Sequence, residues 1–342
     1  MRHLSVTLAV ALVAATAAPA SAQRTPPVPR MTLPEVKEQE RERPDQPFRT
    51  GVTRVEVSAL VLDGDGVPVR GLTAAMVASA GSSQRKIDEV TKALFPMAGS
   101  FSEQVDKEMT TFTGSIHKDN WTDYADVALP LLMSPGFREE DFRRLKDAQK
   151  NALQLDLKDN NEEEFAKERL QTNVFDGTPY GHPVLGTLAG IESITLDDVK
   201  AFYKQAYTQG ALQVGISGDV SEAQLASLKK SLAALPQGAG MTYGVAPKGR
   251  MPNGLEVEII EKNTRATAIS FGLPTVVTRS HPDFPALWLA KAFLGEHRAS
   301  SSYLYQRIRE VRGMNYGDYA YIEAFPRGMF QFFPNPNLGR KA

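Results

Sequence analysis

Apolar residues recur at helical spacing in several parts of the chain. Residues 87–94 and 139–157 follow this period, and two more helical segments begin after Thr195 and Ser221, each with a capping-box pattern. In each segment the apolar positions fall on one side, so each helix is expected to bury one face. The chain is therefore predicted to contain at least four amphipathic helices.

Alternating apolar and polar residues mark a second kind of element. This pattern predicts strands at residues 55–61, 108–116 and 211–216. An Asp-Gly-Asp-Gly turn at 63–66 follows the first strand, which predicts a β-hairpin segment over residues 49–71. The mixture of helical and strand patterns predicts an α+β fold.

The same two patterns resume after a linker rich in Gly and Pro at residues 237–252. Apolar and polar residues alternate over 255–259, which predicts the start of a second sheet. Residues 304–311 have the helical period, and Gly313 stands where a helix commonly ends. The chain is therefore expected to contain a second structural unit after the linker.

The first 48 residues lack both patterns. Residues 1–22 combine a short cationic start, an Ala-rich apolar run and the small residues Ala20-Ser21-Ala22, which predicts a signal peptide cleaved after Ala22. Residues 23–48 are rich in Pro and in charge, which indicates a linker. We therefore expect a secreted or periplasmic protein with no membrane anchor after cleavage.

Composition narrows the classes of partner and the source of stability. The 342 residues contain 39 Lys and Arg against 40 Asp and Glu, so charge gives no reason to expect a nucleic-acid partner. The chain has no cysteine, so its stability must come from packing and not from disulfides.

Three stretches resemble the pitrilysin/insulinase family of zinc metallopeptidases. They are FPMAGSFSEQVDKEMTTFTGSIH at 95–117, PYGHPVLGTLAGIESITLDDVKAFYKQAYTQGALQVGISGDV at 179–220, and LGEHRASSSYLYQRIREVRGMNYGDYAYIEAFPRGMFQF at 294–332. The resemblance implies pitrilysin-like α+β domains, each with an antiparallel sheet covered by helices on one side. It places a first domain at 72–240 and the start of a second, truncated domain at 253–342.

A weaker resemblance concerns the segment before the first domain. Residues 48–77 are similar to the opening of bacterial von Willebrand factor type A related proteins. This likeness implies that the predicted hairpin at 49–71 is separate from the pitrilysin-like part.

The zinc motif of the family is degenerate in this chain. Family members bind zinc through H-x-x-E-H on a helix, where two histidines one turn apart share a face and the glutamate acts as general base. Aligned with the family, the two histidine positions and the glutamate position are occupied by Leu72, Met76 and Ala75 respectively. The third ligand is expected near residues 150–153, which read Lys-Asn-Ala-Leu. We therefore expect no metal site and no catalysis by this chain alone.

The substrate-binding pair of the family matches two residues near the end of the sequence. Arg309 lies at the end of a predicted helix and Tyr316 just beyond it, seven residues later. A guanidinium and a phenol can both donate hydrogen bonds to a peptide carbonyl. The resemblance implies that the chain is the substrate-binding subunit of a peptide-degrading pair, with zinc carried by a partner subunit of the same family.

Two other functions stay open. The first is an autonomous zinc metalloendopeptidase with an unusual site built from His117, His182 and nearby carboxylates. The second is a peptide-binding or scaffold protein without catalysis. The alternating aromatic residues that include Tyr319 and Tyr321 are compatible with this second function, although such residues more often pack in sheets and cores.

Overall fold

The described parts of the chain form one main unit. The computed structural model describes residues 54–62, 69–107, 109–238, 248–264, 266–279, 281–315 and 317–323. Asn253–Ile259 is assigned to a separate small unit and contains no helix or strand. The predicted signal peptide, the linker at 23–48, the turn at 63–66 and Tyr316 lie outside the described residues.

A four-stranded antiparallel sheet organises the main unit. Its strands are β1 (Arg54–Leu62), β2 (Ser100–Val105), β3 (Met109–His117) and β4 (Leu212–Ser217). They lie in the order β2-β3-β1-β4, so the first strand of the chain pairs with β3 on one side and β4 on the other. The strands predicted at 55–61, 108–116 and 211–216 are confirmed, and the fold is α+β as expected.

The predicted hairpin at 49–71 is wrong. Its first strand forms as β1, but both edges of β1 pair with strands far along the chain, and the next described residues belong to helix α1 (Val69–Ser79). The hairpin was predicted because the Asp-Gly-Asp-Gly turn is a signal between neighbouring residues. The strands that pair with β1 lie about 50 and 155 residues further along the chain. β1 therefore belongs to the same sheet as strands β3 and β4.

Eight further α-helices follow α1 in the described part of the chain. They are α2 (Ile87–Leu94), α3 (Trp121–Met133), α4 (Glu139–Asn151), α5 (Glu162–Val174), α6 (Leu188–Ser193), α7 (Leu196–Ala206), α8 (Glu222–Leu232) and α9 (Phe284–Gly295). The capping boxes predicted at Thr195 and Ser221 open α7 and α8. In the part of the chain that the structure describes, no helix is long and apolar enough to cross a bilayer.

Three predicted elements differ from the structure. The helix expected over 139–157 is interrupted after Asn151, where a π-helical segment (Ala152–Asp159) connects α4 to α5. The strand expected at 255–259 does not form, and its apolar side chains are exposed, because no described strand pairs with it. The helix expected at 304–311 is largely a π-helical segment (Tyr305–Glu310), and Gly313 ends it with a positive φ of 61° as predicted.

Helix α1 lies at the centre of the packed part of the fold. Its Ala74, Val77 and Ala78 pack in one cluster with Phe112 of β3. Its Leu72 and Met76 pack in another cluster with side chains of α4 and α7 and with Ala80, which directly follows α1. Because α1 buries opposite faces against different layers, it connects the sheet to the helices outside it.

Candidate functional site

The three positions that the resemblance aligns with the zinc motif, Leu72, Ala75 and Met76, lie on α1. Leu72 and Met76 are four residues apart on one helical face, and both are 0% exposed. They pack against Phe142 and Leu145 of α4, and partly buried Ala75 adjoins the same cluster. The side chains at the three motif positions therefore fill apolar core.

Zinc does not fit these positions. Structural and catalytic zinc sites use thiolate, imidazole or carboxylate ligands, and neither an alkyl side chain nor a thioether replaces them. At the position of the third ligand, residues 150–153 offer no carboxylate, and Leu153 is 1% exposed. Among the described residues, no group of three or more His, Asp or Glu side chains could hold a metal ion.

The alternative zinc site built from His117 and His182 is wrong. His117 ends β3, whereas the backbone oxygen of His182 accepts a hydrogen bond of 2.9 Å from Lys107, which precedes the start of that strand. The nine residues of β3 span about 26 Å at roughly 3.3 Å per residue, while two ligands of one zinc each lie within about 2 Å of it. The histidines therefore lie near opposite ends of a strand.

Arg309 lies near the end of the π-helical segment, as the sequence predicted. Its guanidinium carbon is 4.7 Å from the centre of the Tyr305 ring, and its backbone oxygen accepts a 2.8 Å hydrogen bond from Gly313. Tyr316 lies outside the described residues, so the geometry of the predicted pair stays a prediction.

A cleft of about 380 Å³ lies between α5, the loop at 179–187 and residues 319–323. We call it the α5 cleft. Its apolar side is formed by Leu157, Val184 and Leu185. The polar and aromatic residues that line it are two lysines, three glutamates, two tyrosines and one glutamine. They are Lys107, Lys167, Glu164, Glu168, Glu323, Tyr319, Tyr321 and Gln171.

Buried Lys107 fixes the loop wall of the α5 cleft. Its Nζ donates hydrogen bonds to the backbone oxygens of Tyr180 at 2.6 Å and His182 at 2.9 Å. Burial lowers the pKa of Lys107, and the opposing charges of Glu168 and Glu323 offset part of this effect. The ammonium therefore stabilises the loop backbone while its charge is balanced by carboxylates across the cleft.

The two carboxylates that face Lys107 are poorly solvated. Desolvation raises the pKa of Glu168 and of Glu323, although Lys107 lowers both pKa values in part. Glu323 also accepts a 2.9 Å hydrogen bond from Gln171 on α5. The cleft is thus lined by three carboxylates and two ammonium groups, and the charges of Lys158 and Arg169 also act on Glu168.

The residues of this cleft were not predicted as a site. The three residues of α5 that bond to the segment 319–323 are Glu163, Lys167 and Gln171, at i, i+4 and i+8. This spacing is visible in the sequence and marks one helical face. The sequence left Tyr319 and Tyr321 open between a binding role and ordinary packing, and in the structure both line the cleft. No sequence signal distinguishes Lys107 from a surface lysine.

Comparisons with known proteins match most of the described chain. Residues 193–333 match the model of the peptidase M16 inactive domain, M16 being the pitrilysin family. An uncharacterised zinc protease of Streptomyces coelicolor is 23% identical over 252 residues, covering 72% of this chain and 53% of that relative. A non-peptidase homologue, YmxG of Helicobacter pylori, is 27% identical over 202 residues, covering 58% of this chain and 45% of the homologue. The chain thus spans about half the length of these curated relatives.

A solved structure has the same fold. The peptidase M16 inactive domain from Pseudomonas fluorescens aligns with a TM-score of 0.66 and 21% identity, covering 80% of this chain and 66% of that one. The matches to an inactive domain and to a non-peptidase homologue are consistent with a non-catalytic protein, as the apolar motif on α1 indicates. The chain is therefore similar in sequence and in fold to zinc metallopeptidases of the pitrilysin (M16) family and to their non-peptidase homologues.

Proposed function

We propose that this chain is an exported, non-catalytic subunit that binds peptides and presents them to a zinc-bearing partner subunit of the same family. The observation that carries the proposal is the burial of Leu72 and Met76 in apolar core. A helix in this arrangement can neither hold zinc nor activate a water molecule. Hydrolysis therefore requires a metal from another chain.

The α5 cleft supports the peptide-binding part of the proposal. Its volume of about 380 Å³ suits one or two side chains, and it offers both an apolar wall and a polar wall. In this proposal the three carboxylates that line it, Glu164, Glu168 and Glu323, favour peptides with basic residues. In this proposal Arg309 and Tyr316 hold the backbone of the bound peptide by donating hydrogen bonds to a carbonyl oxygen.

The division of labour is tested by reconstitution. The purified chain is mixed with a family member that has an intact H-x-x-E-H motif, and cleavage of quenched fluorescent peptides is measured. We expect no cleavage by the chain alone, cleavage by the mixture, and loss of that cleavage on adding a chelator. Stoichiometric zinc and peptide cleavage in the purified chain alone would contradict the proposal.

Arg309 is tested against a matched neighbour. Arg307 lies on the same π-helical segment, and its guanidinium carbon is 5.4 Å from the Tyr303 ring, much as Arg309 lies against Tyr305. Arg309→Ala should lower cleavage by the mixture about 10²–10³-fold, as loss of one donor to a developing oxyanion does. Arg307→Ala should leave cleavage nearly unchanged. Equal effects of the two substitutions would show that Arg309 has no specific role in substrate binding.

Export is tested separately. The protein is expressed with its first 22 residues, and the N-terminus of the product in the extracellular or periplasmic fraction is sequenced. We expect Gln23 as the first residue. Full-length protein found only in the cytoplasm would refute this part.

A further inference from the structure

Lys167 of α5 occupies an environment suited to a bound cation. Its Nζ lies 2.8 Å from Glu163 and 2.7 Å from Glu164, and it donates a hydrogen bond to the hydroxyl of Tyr319. The same nitrogen is 5.0 Å from the centre of the Tyr319 ring and 5.8 Å from that of Tyr321. The side chain is only 16% exposed. One ammonium group therefore lies between two carboxylates and two aromatic rings.

These four neighbours come from two separate parts of the chain. Glu163 and Glu164 belong to the first turn of α5, whereas Tyr319 and Tyr321 lie about 155 residues later. We call the four residues the cation cage. Carboxylates and aromatic faces that converge on one point attract ammonium and guanidinium groups. The cage forms part of the wall of the α5 cleft, so a peptide in the cleft would lie beside it.

Another lysine shows that the aromatic part of the cage is specific to Lys167. Lys262 is also ion-paired with the first turn of α5, through Glu162 at 3.2 Å, and it donates hydrogen bonds to the backbone oxygens of Lys158 and Asp159. Among the described contacts, aromatic rings lie over Lys167 but not over Lys262. An ion pair on α5 therefore does not require an aromatic cage.

We propose that Lys167 is a built-in occupant of the cation cage, and that it blocks the position that a basic side chain of a bound peptide would take. The cage itself is tested without any peptide, whereas the blocking role rests on the peptide-binding function proposed above. A peptide lysine or arginine must displace Lys167 to enter. Because one cation replaces another, the charge of the cage stays the same, and access depends on the competition between the two side chains.

The contacts of Lys167 keep this occupant charged. Burial lowers the pKa of Lys167, but hydrogen bonds to Glu163, Glu164 and Tyr319 outweigh it, so the net effect raises the pKa. The pKa of Glu163 is lowered by its hydrogen bonds with Lys167 and Tyr319. At neutral pH Lys167 is therefore a cation and Glu163 beside it an anion.

The test removes the occupant and replaces it with a small amine. Lys167→Ala removes the lysine side chain beyond Cβ, which consists of three carbons and the nitrogen. n-Propylammonium has the same three carbons and nitrogen. We expect a lower melting temperature for this variant, and a saturable rise on adding n-propylammonium chloride. 1-Propanol and sodium chloride at equal concentration should give no such rise. If n-propylammonium acts no differently from sodium chloride, the cage does not bind cations and the proposal fails.

Three further variants separate cage binding from general effects. Lys167→Met keeps an unbranched stem in the cage, so n-propylammonium should not stabilise it. Lys262→Ala removes an ion-paired lysine without a ring, so its melting temperature should not respond to the amine. In the Lys167→Ala background, Tyr321→Leu should weaken amine binding about two- to fivefold, because one aromatic face is lost. An amine response in Lys262→Ala equal to that in Lys167→Ala would overturn the proposal.

A peptide measurement distinguishes the cage from the proposed function. Fluorescence anisotropy with a labelled Arg-containing decapeptide should show tighter binding to Lys167→Ala than to the wild-type chain, and a Glu-containing decapeptide should not. If the amine rescues the variant but neither protein binds the basic peptide, the cation cage stands and the peptide-binding function is wrong. If the basic peptide binds both proteins equally, the blocking role of Lys167 is refuted.

Discussion

Restoring the zinc motif on α1 should destabilise the fold without creating a metal site. Leu72→His and Met76→His each place an imidazole at a position that is 0% exposed. Each loses apolar burial of about 1.5–3 kcal/mol and leaves a buried N–H group unpaired, at about 1–3 kcal/mol. Each substitution therefore costs roughly 2.5–6 kcal/mol, and the pair costs a large part of the roughly 5–15 kcal/mol that stabilises a typical domain.

The single Leu72→His variant suits measurement. A loss of this size lowers the melting temperature by roughly 5–20 °C in a unit of this length. Thermal unfolding followed by circular dichroism, with and without zinc chloride, gives the shift. Leu72→Met is the control, because a swap of similar volume costs less than about 1.5 kcal/mol. Ala75→Glu is a second control, because Ala75 is only partly buried.

The triple variant with both histidines and the glutamate tests the reasoning as a whole. We expect a destabilised protein without stoichiometric zinc by elemental analysis, because residues 150–153 supply no third carboxylate. A triple variant that unfolds at the wild-type temperature in zinc, holds one zinc per chain and cuts peptides would refute the reasoning. Such a result would mean that the surroundings of α1 still accommodate a metal site.

Three further predictions concern other parts of the fold. Lys107→Met should lower the free energy of unfolding by about 1–3 kcal/mol in urea titrations, since two loop carbonyls lose their donor. Glu323→Gln should stabilise the protein at neutral pH. Folding raises the pKa of the Glu323 carboxyl, so its ionisation opposes folding above the ordinary pKa of 4.5. In melting curves the stabilisation should therefore vanish below that pH. Gly114→Ala should destabilise by roughly 1–3 kcal/mol, because its Cβ would lie 2.1 Å from the hydroxyl of Tyr124, and a Tyr124→Phe background should recover part of the loss.

The elements that were predicted correctly depend on local patterns. Helix α7 begins at Thr195 because the Thr195 and Asp198 side chains accept hydrogen bonds from each other's backbone N–H groups. Such a capping box needs only four consecutive residues, so the sequence alone reveals it. Helix α2 was predicted with its correct bounds for a similar reason, since its apolar positions fall on one face. Local hydrogen bonds and periodicity are properties of short segments.

The elements that were missed depend on contacts between distant residues. The placement of β1 between β3 and β4 requires partners far along the chain, and no local pattern specifies which strands will pair. The α5 cleft also depends on contacts between distant residues, because Lys107 and Glu323 face one another only after folding. The apolar residues at the motif positions were located by resemblance to the family, and their burial explains why they are apolar.

Helix α1 also has a consequence for folding. Because it packs against the sheet on one face and against α4 and α7 on the other, its backbone is shielded on both sides. Its amide hydrogens should be among the slowest in the chain to exchange with deuterium, since they open only when the two layers separate. The segment that the resemblance aligns with the zinc motif would thus be among the most protected parts of the described chain, and its exchange would report on the separation of two layers at once.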